Sequence, residues 1–335
     1  MSSMTSNFWI YAGFSIFVLG TLALDLGVFH RKAHVVKAKE AGIWIGIWFT
    51  LASVFALILS VWKGPDQALL FAAGYLVELS LSADNIFVIV MLFAYFSVPA
   101  KFQHRVLFWG ILGALLMRGM FIGMGAYLIQ KMSWIMYVFG AFLVITGIRM
   151  ANRQDEQFDA ERNIVLRGAR RFLRVTSQYD GQKFFTKENG VTAATPLFLV
   201  LLLVEFTDLV FAVDSIPAIF AVTTDTLLVF TSNVFAILGL RSLYFLLAGV
   251  IHKFVYLKYG LAAILTFVGC KMLIADFYHM PVYISLAFIL VSLAVTLTVS
   301  MLFPVAAENV IDESQGKTGS IFGSVQPKDH RHEET

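Results

Sequence analysis

The stretch at 67–96, QALLFAAGYLVELSLSADNIFVIVMLFAYF, decides how this chain must fold. Its apolar side chains run long enough, as a helix, to cross a bilayer core of roughly 30 Å. Yet it carries Glu78, Asp84 and Asn85, which hydrocarbon rejects. On insertion scales a central Asp costs about 2.5–3.5 kcal/mol, so acids kept there are paired, protonated or bound to a cation. A second stretch at 194–222, ATPLFLVLLLVEFTDLVFAVDSIPAIFAV, is built the same way around Glu205, Asp208, Asp214 and Ser215.

Working outward, seven further apolar blocks fall at 8–29, 41–62, 103–129, 133–150, 227–249, 256–275 and 281–303. The sequence is 59% hydrophobic and 14% charged, where soluble domains carry roughly 25% charged residues. The expected class is an all-α membrane protein of about nine transmembrane helices. Basic residues set its orientation. With the N-terminus outside, the inner segments collect twenty Lys and Arg, among them Arg31, Lys32, Lys101, Arg105 and nine from Arg149 to Lys187. The outer loops hold two, Lys63 and Lys131, which predicts N-out/C-in. No signal peptide is expected, because the first seven residues lack Lys and Arg and the first block contains Asp25. The single cysteine, Cys270, precludes an intramolecular disulfide.

Residues 1–303 therefore read as a transmembrane transport domain interrupted by a cytoplasmic loop at 151–193. Residues 304–335 read as a polar, disordered cytoplasmic tail, whose His330 and His332 stand close enough to bind a metal adventitiously. In the loop, Arg167, Arg170, Arg171 and Arg174 alternate with Ile164, Val165, Ala169, Phe172 and Val175. That pattern suits either an interfacial helix on an anionic leaflet or a solvated connector.

The two opening stretches are related. Glu78 stands six residues before Asp84-Asn85-Ile86, and Asp208 six before Asp214-Ser215-Ile216. Each is followed by a helix with a Gly-Ile-Leu-Gly or Ala-Ile-Leu-Gly run leading to a lone arginine, Arg118 or Arg241. The units are blocks 3–5 and 6–8. Three spans apiece give them opposite polarity, the inverted-repeat plan of secondary transporters with midplane sites.

Six acids fall inside these blocks: Asp25, Glu78, Asp84, Glu205, Asp208 and Asp214. Unpaired, they would cost on the order of 15–20 kcal/mol together. Arg118, Arg241 and Lys271 offset three charges, and one divalent ion plus a proton would balance the rest. Glu205 and Asp208 share a helical face. Asp208 and Asp214 do not, unless Pro217 breaks the helix and frees the carbonyl of Val213. Carboxylate, amide and hydroxyl oxygens favour Mg²⁺, Ca²⁺ or Mn²⁺ over softer metals, without choosing among them. The competing reading is that the acids pair with arginine only to lock helices together, most directly for Asp25, outside both repeats. Lys271 reads as a snorkelling side chain, and Gly119, Gly123 and Gly125 as close helix contacts. No nucleotide loop, nucleophile triad or zinc-protease signature is present, so neither an enzyme nor an ATP-driven pump is expected.

Longer motifs carry a resemblance. Tyr75-Leu-Val-Glu78-Leu-Ser-Leu-Ser-Ala-Asp84-Asn85-Ile86-Phe87, then Phe93 to Pro99 and His104 to Leu107, resemble the first signature of the TerC/Alx family of integral membrane proteins. Ala194-Thr-Pro196-Leu, Glu205 to Phe220 and Phe235 to Arg241 resemble its second. The resemblance spans roughly 8–300 and is closer to the Alx branch. It departs at Leu79, where the family usually has lysine.

The resemblance implies a manganese exporter in a bacterial inner membrane, with tellurite resistance and alkaline pH response as associated phenotypes. Glu78, Asp84, Glu205, Asp208 and Asp214 are then expected to hold the ion. Asn85 and Ser215 are expected to add neutral oxygens, and Arg118 and Arg241 to compete as counter-charges. Mn²⁺ is the expected cargo ahead of Ca²⁺ or Mg²⁺, with H⁺ in exchange. The partners expected are the bilayer and these ions, with no cofactor and no nucleic acid. The rival expectation is a non-transporting scaffold or assembly factor in a stress-response complex.

Overall fold

The structure is a computed structural model. It describes residues 13–14, 16–18, 20–21, 38–132, 134–152, 164–176, 178–188, 190–248, 256–278 and 280–302. Most of the first expected span, with Asp25, lies outside these residues, as do the tail and the acidic start of the central loop. Nine helices are described: α1 (Ala38–Lys63), α2 (Pro65–Tyr95), α3 (Ala100–Lys131), α4 (Ile135–Asn152), α5 (Ile164–Phe172), α6 (Pro196–Val222), α7 (Thr226–Leu247), α8 (Leu257–Leu273) and α9 (Val282–Leu302).

Seven of these, α1–α4, α6, α7 and α9, are long and apolar enough to cross a membrane. Helix α8, at 17 residues, is about 26 Å long, a little short of a bilayer core. Lys271 stands half-buried in its last turn. Large apolar side chains face outward on the peripheral helices, with Leu57 67% and Val61 91% exposed on α1 and Val291 61% exposed on α9. Such faces need lipid as solvent. The chain is an all-α membrane protein in its spanning part.

Helix α7 lies at the centre, and close contacts fix its neighbours' directions. A methyl built on Gly74 of α2 would lie 3.0 Å from Ser232 Oγ of α7. Near the other end Phe93 meets Tyr244 with ring centroids 5.4 Å apart, so α2 and α7 run parallel. Helices α3 and α6 also run parallel, for Gly110 faces Val204 and Gly125 faces Phe220. Helices α4 and α8 run antiparallel, with Gly140 against Gly269 and Gly147 against Ala262 and Thr266. Lys63 Nζ donates to Asp225 at 2.9 Å, and Asp225 caps α7 by accepting from Leu227 N–H at 2.9 Å. Phe14, from the first block, packs between Phe55 and Phe235.

Among the six helices α2–α4 and α6–α8, the main packed pairs are α4 with α8, α2 with α7, α3 with α6, α2 with α6 and α3 with α7, with smaller contacts of α6 to α4 and α8 and of α2 to α8. The five main pairs are the same when α2 is exchanged for α6, α3 for α7 and α4 for α8; the contact of α6 with α8 has no counterpart of similar size between α2 and α4.

Three features depart from the sequence reading. Helix α6 continues unbroken through Pro217, so Asp208 and Asp214 keep their helical spacing of about 9 Å along the axis. Packing against α2, α3, α4 and α8 braces the helix across the missing N–H. The central loop contains a hairpin, β1 (Phe185–Glu188) paired antiparallel with β2 (Val191–Ala194). Helix α5 turns its apolar side into the bundle: Leu166 is 3% exposed within the cluster of Val106, Leu197 and Leu203, and Val165 and Ala169 pack against it. That face is therefore not spread on a leaflet, while Arg167, Arg171 and Arg174 stay exposed. Of the three glycines read as helix contacts, Gly125 makes a close one; nothing lies within 4 Å of a methyl built on Gly123.

Candidate functional site

Arg118 organises the interior. It projects from α3 and is 2% exposed. Its Nη2 donates to Asp208 Oδ1 at 2.9 Å and its Nε to Oδ2 at 3.3 Å, a two-pronged grip on the α6 carboxylate. Its Nη1 meets the Glu78 carboxylate of α2. Glu78 is 0% and Asp208 8% exposed. A guanidinium stays charged in any protein environment. Two carboxylates around it leave one negative charge in excess when both are ionised. Glu78 and Asp208 hold the same place in the two sequence units, six residues before Asp84 and Asp214, so equivalent acids converge on one arginine.

Beside this ion pair, α2, α3, α6 and α7 enclose a cavity of about 20 Å³, room for one water-sized species. Asn85, Thr207, Asp208 and Arg241 border it within a mostly apolar lining, and Gly110 and Ala114 open the space on the α3 side. Asn85 is 3% exposed, and neither atom of its amide meets a hydrogen-bond partner among the described residues. A buried amide left so costs about 1–3 kcal/mol unless something enters to complete it. Thr207 donates its hydroxyl to Leu203 O at 2.7 Å, which leaves the oxygen's lone pairs open to a visitor.

The remaining acids are spread around this centre. Glu205 lies half-buried against α3, where Gly113 has no side chain: a methyl there would overlap the carboxyl carbon and both oxygens. Asp214 accepts from Thr146 Oγ1 of α4 at 3.4 Å. Asp84 is half-buried on α2, next to Asn85. Ser215 is 1% exposed, its hydroxyl without a partner among the described residues.

Thus Glu78, Asp208 and Arg118 come together, and Asp208, Asn85 and Arg241 share a cavity. Among the described residues no three acids, histidines or cysteines converge as a ready-made metal cluster. Arg118 stands where a shared cation would, which fits both a counter-charge that yields to an ion and a purely structural clamp.

Two residues escaped the sequence reading. Gly113 shapes the seat of Glu205, which no spacing rule reveals. Asn233, 1% exposed on α7 with both amide atoms unpartnered among the described residues, could have been flagged as an amide in an otherwise apolar span.

On the loop side, Tyr179 Oη donates to Phe96 O at 2.7 Å, and burial pushes its hydroxyl up to about 12. Next to it, bonds from Thr186 and Lys183 hold Asp180 below the usual carboxylate range. Tyr244 Oη donates to Gln103 Oε1 at 3.1 Å, and Gln103 Nε2 donates to Val98 O at 3.2 Å. These bonds fasten the loop and α7 to the turn between α2 and α3.

The sequence motifs have counterparts in known proteins. Residues 63–308 match the model of the integral membrane protein TerC family. The chain is 53% identical over 295 residues to a Myxococcus xanthus protein named "Uncharacterized membrane protein STKORF319", covering 88% of this chain and 92% of that one. It is 48% identical over 302 residues to the "Putative membrane-bound redox modulator Alx" of Escherichia coli (strain K12), covering 87% and 94%. A Rickettsia bellii "Uncharacterized membrane protein" shares 41% over 305 residues, or 91% and 99% of the two chains. No solved structure matches. With the family model spanning most of the chain and its motifs placed around one buried site, the chain belongs to the integral membrane protein TerC family.

Proposed function

We propose that this protein is a secondary transporter that exports a hard divalent cation, Mn²⁺ first, across a bacterial inner membrane in exchange for H⁺. The observation that carries the reading is the Glu78–Arg118–Asp208 ion pair set beside a small cavity with an orphaned Asn85 amide. Arg118 acts as a tethered stand-in for the cargo. An arriving ion takes the excess negative charge, draws Asp208 from the guanidinium and completes its shell with Asn85 and Thr207 oxygens, donors suited to Mn²⁺, Ca²⁺ or Mg²⁺. Glu205, Asp84 and Asp214 then serve as relay carboxylates along the path, where protons returning inward can reside.

The common acid spacing of the two units, and the matching contacts of α2 with α7 and α3 with α6, support reading α2–α4 and α6–α8 as inverted repeats whose rocking alternates access. The charge bias of the loops orients the cavity toward the cytoplasm. The relatives' name, putative membrane-bound redox modulator, fits an indirect effect of metal traffic better than thiol exchange, because Cys270 is the only cysteine in the sequence.

The test is Mn²⁺ flux in proteoliposomes at matched incorporation, comparing wild type with Asp208→Asn, Asp84→Asn and Asp214→Asn. Ca²⁺, Mg²⁺ and Zn²⁺ serve as competitors, with and without an imposed pH gradient. Flux that needs the aspartates and follows the gradient supports the exchanger. Flux indifferent to the gradient removes H⁺ from the scheme. A well-folded wild type without flux returns the protein to a scaffold role, in which the same substitutions lower abundance instead.

A further inference from the structure

The cavity lies among Asn85, Thr207, Asp208 and Arg241, and Arg118, bonded to Asp208, stands beyond it toward the C-terminal ends of α3 and α6. Beyond Arg118 the same four helices are packed shut. Ile122, Ala212, Ile216, Ile219 and Val229 form a continuous apolar cluster there. Gly74 lies against Ser232 and Ile219.

Two buried polar side chains are stranded in this closed half. Ser215 lies seven residues past Asp208 on α6, about 10 Å along the axis. Asn233 lies eight residues before Arg241 on α7, about 12 Å toward the same end. Both are 1% exposed, and the Ser215 hydroxyl and both Asn233 amide atoms have no partner among the described residues. Their helix faces meet the same packing. Ser215 shares a face with Ile219, and Asn233 sits one turn from Val229 within the cluster that holds Ile219.

Repeat exchange relates the two halves. It carries Asn85 onto Ser215 and Asp208 onto Glu78, and it carries the Val204 wall of the cavity onto Gly74. The closed region is thus the counterpart of the open one. Its own additional donor is Asn233, on α7, where the open side has the apolar segment of α3 around Leu107. A buried amide without a partner is tolerated where another state of the protein completes it.

Resting on the transport reading above, we infer that Asn233 and Ser215 form a second neutral-oxygen half-site for the divalent cation, on the far side of Arg118 from the open cavity. It is occupied when the bundle opens the other way. In the present state its atoms are buried and idle. After the switch they take over from Asn85 and Thr207, with Glu78 in the place of Asp208.

The test uses the full chain in oriented proteoliposomes, with Mn²⁺ offered in turn from the cavity side and from the opposite side. Asn233→Leu, with the same branched skeleton and without the amide, is expected to raise the half-saturation concentration on the far side at least tenfold more than on the cavity side. Asn85→Leu is expected to show the reverse asymmetry. Asn233→Asp, which keeps the oxygen and adds charge, is expected to lower the far-side value. If Asn233→Leu does not insert, Asn233→Ala carries the same comparison. Equal changes on both sides, or none, overturn the half-site while leaving transport intact. A folded wild type with no flux from either side overturns the transport reading, and this inference with it.

Discussion

Gly113→Ala isolates the position of one carboxylate from the stability of the fold. The added methyl would overlap the Glu205 carboxyl carbon and both of its oxygens, while no backbone atom stands among its nearest neighbours. To regain ordinary van der Waals separation the carboxylate must retreat by about 1.5 Å. It ends a flexible side chain, so the helices need not part. Position 113 is interior to α3, where replacing Gly with Ala favours the helix by about 1 kcal/mol. Thermal stability in detergent is therefore expected to hold or rise. A displacement of this size at a functional group costs on the order of tenfold to a hundredfold, and Mn²⁺ flux is expected to fall accordingly. Glu205→Gln supplies the cycle's second arm. In that background Gly113→Ala should add little, because the charge it moves is already gone. Unchanged flux in Gly113→Ala would refute the idea that the seat of Glu205 matters. Loss of flux together with a lower melting point would move the effect to packing.

Arg118→Met leaves Glu78 and Asp208 buried without their counter-charge; stability is expected to fall by about 3–5 kcal/mol, read as a lower melting temperature that added Mn²⁺ partly restores. Gly269→Leu places a side chain where a methyl would already lie 2.7 Å from Gly140 O, and the separated helices should appear as reduced membrane abundance. Tyr179→Phe removes the bond to Phe96 O and should loosen the loop by about 1 kcal/mol, measured as faster hydrogen exchange in residues 174–188. Tyr179 is raised from 10.0 to about 12, so its contribution to docking is complete below pH 10 and is lost as pH climbs toward 12. Subtracting the tyrosinate absorbance titration of Tyr179→Phe from that of wild type should show this late step, and a midpoint near 10 would contradict its burial.

Seven of the nine blocks were legible as spans because hydrocarbon imposes a length and forbids unpaired backbone, constraints that act on every residue of a block. Glu78, Asp84, Glu205, Asp208 and Asp214 were legible for the related reason that an acid in such a block must be answered by something. Which partner answers each was not. Glu78 and Asp208 meet at Arg118 only because three helices pack together, and spacing along any one of them is silent on that. Pro217 misled for a physical reason: it removes one N–H but cannot unwind a helix braced on several sides. The loop pattern at 164–175 left a helix on an anionic leaflet and a solvated connector both open. A helix forms, but its apolar side enters the protein interior, where Leu166 is buried, a partner that neither reading had offered because bilayer and interior are equally acceptable to apolar side chains.

Where α4 crosses α8, two backbones touch with nothing between them. A methyl on Gly269 would fall against the carbonyl of Gly140, and one on Gly140 would lie 3.0 Å from the carbonyl of Gly269. Side chains close around the same point: Met272 and Leu273 stand 3.0 and 3.1 Å from the methyl position on Gly140, and Val144 stands 2.9 Å from the one on Gly269. The crossing is therefore keyed in register. A slide of one residue along either helix would bring a side chain into a space that only bare backbone fits.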